Sequence, residues 1–205
     1  MSRTITIIRS ALLCLGLLVA PVALTSPAAA DEVQSLREGL RAAGAKDWPA
    51  ALTAAQGAGA VGGDIILWQW LRAGEGRLGD YEGFLARRPD WPGLPFLKEK
   101  GEEAAARSTD PARVIAYFGK DKPRTGEGAV ALVRALMAAG RPAEAEQAAF
   151  DAWVKLEFRP EDEAAMLAMQ GPALSVAHEA RLDNLLWEGG RADEARRILP
   201  LLPDA

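Results

Sequence analysis

The sequence has one cysteine and one histidine in 205 residues. A lone cysteine, Cys14, excludes a disulfide framework and a cysteine-based zinc site. A lone histidine, His178, excludes a multi-histidine metal centre and leaves one candidate for imidazole chemistry. No phosphate-cradling glycine loop and no spaced set of metal ligands is present. β-Branched residues are few, and no long stretch alternates apolar with polar as a half-buried strand would. Basic residues are not in excess: 24 Lys and Arg stand against 28 Asp and Glu, a net charge of −4. That balance argues against nucleic acid as a partner, which calls for a basic face. No apolar run reaches the roughly 20 residues of a membrane span.

What the N-terminus does have is an export signal. Residues 1–30 carry Arg3 and Arg9 and no acid, then an apolar core over residues 11–20, then Pro21, Pro27 and the run Ala28-Ala29-Ala30. These are the three parts of a cleavable leader. Cys14 follows Leu13 inside the apolar core, which is the wrong context for a lipid anchor. Cleavage after Ala30 leaves 175 residues without cysteine, and loss of two arginines moves the charge to −6. The expected location is the periplasm, with no stable membrane anchor after cleavage.

Residues 31–205 read as one all-α domain of roughly ten short helices. Ala, Leu, Glu and Arg dominate, and turn signals recur every ten to fifteen residues or so. Helix starts are visible at Asp47-Trp48-Pro49, Asp110-Pro111, Arg141-Pro142 and Arg159-Pro160. Apolar stripes follow at helical spacing. They are Val130, Val133 and Met137; Ala145, Ala149, Ala152, Trp153 and Leu156; Leu182, Leu185 and Leu186; and Ala195, Ile198, Leu199 and Leu202. The segment 65–71 is apolar nearly all round and is expected to form the central helix. Gly140-Arg141-Pro142-Ala143-Glu144-Ala145 repeats as Gly190-Arg191-Ala192-Asp193-Glu194-Ala195, with a weaker echo at residues 44–51. A glycine, a polar residue and a small-residue helix mark stacked helical hairpins of the tetratricopeptide-like kind, so a superhelix is expected.

Candidate chemistry is sparse. The acids Glu161, Asp162 and Glu163 sit in a helical first turn, where the dipole favours them, and are expected to be solvated, as are Asp193 and Glu194. His178 is expected to be structural, since no nucleophile pairs with it. Six tryptophans, Trp48, Trp68, Trp70, Trp91, Trp153 and Trp187, are the unusual feature. They are expected to fill hairpin junctions in an alanine-rich core, with Trp91 in its Asp-Trp-Pro loop the best surface candidate.

Several ordered blocks carry a family resemblance. They are Tyr81-Glu82-Gly83-Phe84-Leu85 with Pro89-Asp90-Trp91-Pro92, and Tyr117-Phe118 with Pro123-Arg124-Thr125-Gly126-Glu127-Gly128. They continue with Trp153 to Phe158 followed by Glu161 to Glu163, and with His178-Glu179-Ala180-Arg181-Leu182-Asp183-Asn184-Leu185-Leu186-Trp187. Together they resemble the N-terminal helical region of soluble lytic murein transglycosylases. Ala177 stands where that family usually has Asp. The resemblance implies an α-superhelical region that precedes a separate domain cleaving the glycan strand of peptidoglycan through a single Glu. That Glu lies in a Glu-Ser context followed by Gly-Leu-Met-Gln, and this sequence has neither; Met166-Leu167-Ala168-Met169-Gln170 is a superficial echo. No catalytic, cofactor-binding or metal-binding residue is therefore assigned. The implied partners are peptidoglycan or a cell-wall protein. Two readings stay open: the helical front of a longer enzyme, or a stand-alone exported adaptor.

Overall fold

The computed structural model describes residues 27–202. Most of the expected leader lies outside them, while Ala28, Ala29 and Ala30 fall in the first helix. Eleven α-helices follow one another among the described residues: α1 (Pro27–Gly44), α2 (Trp48–Ala55), α3 (Gly59–Arg72), α4 (Leu78–Arg87), α5 (Leu94–Ala106), α6 (Pro111–Phe118), α7 (Gly126–Ala138), α8 (Pro142–Lys155), α9 (Pro160–Leu174), α10 (His178–Glu188) and α11 (Ala192–Ile198). Short 3₁₀ turns occupy Ser175–Ala177 and Leu199–Leu201. No strand occurs among the described residues, so the all-α expectation holds.

The helix starts form where the sequence places them. Asp47 and Asp110 accept the backbone N–H three residues on, at 3.2 Å each, and Pro49 and Pro111 stand in the first turn. A first-turn proline costs nothing because its missing N–H has no helical partner there. Helices pack on their neighbours in sequence and on the next but one: α1 on α2 and α3, α7 on α5, α6, α8 and α9, and α8 on α9 and α10. Three apolar cores result, around Ile66, around Tyr81 and Phe84, and around Trp153.

The central helix is α7, not the expected α3. Ala131 and Ala135 of α7 enter the Tyr81 core, while Ala129, Val130, Val133 and Leu136 enter the Trp153 core. Small residues let neighbours close on it from two sides. In α3 only Ile66 and Leu71 of the segment 65–71 are buried; Trp68 and Trp70 lie at the margin. Other stripes are displaced as well. Met137 is 44% exposed, and Leu186 and Leu199 face solvent.

The candidate functional site: a charged-rim groove beside a structural ion cluster

Two sets of residues compete for a functional role, and their environments separate them. The first is the block containing His178 and Arg181. Arg181 is completely buried. Its guanidinium stacks 4.4 Å from the Trp153 ring and 5.0 Å from that of Phe158. Nη1 donates to the carbonyls of Trp153 (2.5 Å) and Leu156 (3.1 Å), and Nη2 to Glu194 (2.7 Å) and Glu163 (3.4 Å). Arg197 adds a second cation to Glu163 at 2.8 Å, and Arg191 joins Glu194 at 3.1 Å. Burial pushes the Arg181 guanidinium pKa down, against the pull of Glu194 and Glu163. A buried charge is tolerable only when paired and hydrogen-bonded, and here every carboxylate in reach is so.

This cluster overturns one expectation. Asp162, Glu163 and Glu194 are buried rather than solvated; only Glu161 and Asp193 stay exposed. Position in a first turn is right, but Arg159 reaches Asp162 at 2.8 Å and Arg181 draws Glu163 and Glu194 inward. His178 is a core side chain, as expected. The Trp153 Nε1–H donates to its Nδ1 at 3.3 Å, which leaves Nε2 to carry the proton of the neutral ring. Burial and the nearby Arg181 charge hold the imidazole pKa below its usual value.

The second set surrounds the α6–α7 loop. Glu102 of α5 is buried and accepts the backbone N–H groups of Arg124 (2.9 Å) and Thr125 (2.9 Å) and the Thr125 hydroxyl (2.7 Å). Thr125 Oγ1 in turn accepts the Gly128 N–H and caps α7. A Cβ on Gly128 would collide with Glu102, so this position demands glycine. Burial pushes the Glu102 carboxyl pKa up while its donors oppose. Its acceptor sites are filled by the loop, so it anchors backbone.

On either side of this loop a groove opens. One, of about 400 Å³, has a floor of Ile115, Leu132, Leu136 and Leu156 and a rim of paired charges. Lys122 bridges to Asp151 at 2.7 Å and Arg141 to Glu144 at 2.5 Å. The other, of about 310 Å³, lies over Leu85 and Tyr117, with Lys98 bridging to Asp121 at 2.6 Å. Asp121 and Lys122 line both. Lys98, Lys122 and Arg141 hold Asp121, Asp151 and Glu144 below the usual carboxylate range. The rim therefore sets paired charges around an apolar floor, the kind of lining that ligand pockets share.

A polar hollow beneath the loop holds Glu127, raised by burial and joined to Arg159 at 3.1 Å. No group of three or more potential metal ligands occurs among the described residues, and no described helix is long and apolar enough to cross a membrane.

The tryptophans divide differently from expectation. Trp153 is buried. Trp91, the expected surface candidate, packs edge-on to Phe84 at 5.6 Å with Arg88 over its ring. Trp187, expected to pack, is 88% exposed. Sequence reasoning missed the Arg181 cluster and the Glu102 anchor. Their signals were Arg181 in the 178–187 block and the Pro123, Thr125, Gly128 spacing. No protein-family model, curated protein or solved structure matches the chain.

Proposed function

We propose that this chain is a periplasmic helical scaffold of a lytic murein transglycosylase-like protein, a binding module of cell-wall turnover rather than its cutting part. Its helices form a continuous superhelix, and the paired grooves beside the α6–α7 loop are where it grips wall or partner. One observation carries this reading. The residues that bear the family resemblance hold the helices together: Tyr81 donates to the Leu71 carbonyl at 2.7 Å, Thr125 to Glu102, and Arg181 to four acceptors. A scaffold is recognised by such joints.

Co-sedimentation of the purified chain with isolated sacculi tests binding, and analysis for anhydromuropeptides tests cutting. Sedimentation with the sacculi, reduced by about tenfold in a K122E/R141E variant, is expected. Anhydro products that persist through stringent purification would overturn the non-cutting part.

A second reading is an exported adaptor for protein partners. It is favoured by the repeat. Gly140 and Gly190 both take positive φ, at 70° and 75°, and in both copies the following Arg pairs with the Glu three residues on. Binding to sacculi in the absence of any protein partner counts against it.

A further inference from the structure

Burial divides α10 into two faces. His178, Arg181, Leu182 and Leu185 turn inward at helical spacing. The opposite face is all exposed: Val176 in the preceding turn at 81%, then Glu179, Ala180 and Asp183, then Leu186 at 64% and Trp187 at 88%. Tryptophan offers a large apolar surface, and an aromatic standing in water beside a second large apolar residue marks an interaction site. The paired charges of α10 are Arg181 and Glu188. Glu179 and Asp183, one turn apart on the exposed face, have no ion-pair partner among the described residues.

We propose that the outward face of α10 is a docking surface for a basic amphipathic helix of another protein. Two carboxylates one turn apart are matched by two cations at i and i+4 on an approaching helix. The Leu186–Trp187 pair is matched by an apolar stripe beside them, the anchor-and-stripe form of helix recognition. Charge complementarity selects the occupant. A second copy docking face to face would set Glu179 and Asp183 against their own counterparts, which repel. An anionic lipid surface would meet the same two acids. This surface lies apart from the grooves and does not rest on the function proposed for them.

The test uses the whole chain and a synthetic amphipathic Leu/Lys helix, with a Leu/Glu helix of the same pattern as control. Tryptophan emission should shift to the blue on titration with the Leu/Lys helix and stay unchanged with the Leu/Glu helix. Trp187→Ala removes only an exposed ring and should keep the circular dichroism spectrum while weakening binding by about tenfold or more. E179K/D183K should weaken it similarly. E75K/D90K, the same change of net charge at exposed positions elsewhere, should leave it intact.

Absence of Leu/Lys binding overturns the proposal. So does equal weakening by the two charge reversals, which would reduce the effect to net charge, and so does an unaltered W187A. A blue shift with phosphatidylcholine or phosphatidylglycerol vesicles alone, lost in W187A, would replace a protein partner with a membrane.

Discussion

Arg181 spends both terminal guanidinium nitrogens on four acceptors from three different parts of the chain. Replacing it by alanine leaves Glu163 and Glu194 buried beside fewer cations and takes a donor from the Trp153 carbonyl, while the Leu156 carbonyl keeps Arg191. R181A should cost about 3–5 kcal/mol in urea unfolding. R181K should recover only part, because an ammonium cannot reproduce the fork. His178 gives a pH-dependent counterpart. Its folded pKa lies below the unfolded value near 6.5, so the unfolded chain binds the extra proton first. Its contribution is full above that value and declines as pH falls through it. Unfolding free energy measured across pH 5–8 should drop on the acid side, and H178N, whose amide oxygen can still accept from Trp153, should drop less. The role of Arg181 was not legible beforehand. Composition says an Arg and two Glu belong in water, and only three-dimensional neighbours reverse that. The lone His was legible as structural because no nucleophile accompanied it.

At the scale of elements, the α6–α7 connection is the best-defined joint. Glu102 and Thr125 act together, so their losses should not add. T125A should cost about 1–2 kcal/mol through the lost cap, and E102A about 1–3 kcal/mol through the orphaned N–H groups. The double variant should fall short of the sum, a coupling readable from a denaturation cycle. Helix starts were legible because capping chemistry is local: Asp47, Asp110 and the Pro residues after them need no tertiary partner. Helix faces were less so. The stripe Leu182, Leu185, Leu186 placed Leu186 inward, yet the inward face of α10 is centred on Arg181, and this turns Leu186 and Trp187 out. The grooves were not legible at all, since Lys122, Arg141 and Asp151 look like any solvated charges until the helices bring them round one apolar floor.

At the scale of the whole molecule, stability should be uneven. The core joining α1, α2 and α3 rests on Ala43, Ala51, Ala58 and Ile66, three of which bury only a methyl group. The core around Trp153 buries Met166, Phe158, Leu174, Leu185 and Ile198 as well. Apolar area sets the difference. Hydrogen exchange should therefore be faster across α1–α2 than across α7–α8, and I66A should accelerate exchange in α1–α3 while sparing α8. The all-helical make-up was legible from helix-forming composition and recurrent turn signals; the choice of α7 as the central helix was not, because alanine on two faces looks like propensity rather than burial.

The Arg181 cluster has a mechanical meaning too. One side chain on α10 ties the C-terminal end of α8 to the starts of α9 and α11, so four helices share a single rivet. Pulled from its C-terminal end, the molecule should not unzip helix by helix there. Helices α8 to α11 should hold until the rivet fails and then part in one rip, leaving the lightly bound N-terminal helices to yield at lower force.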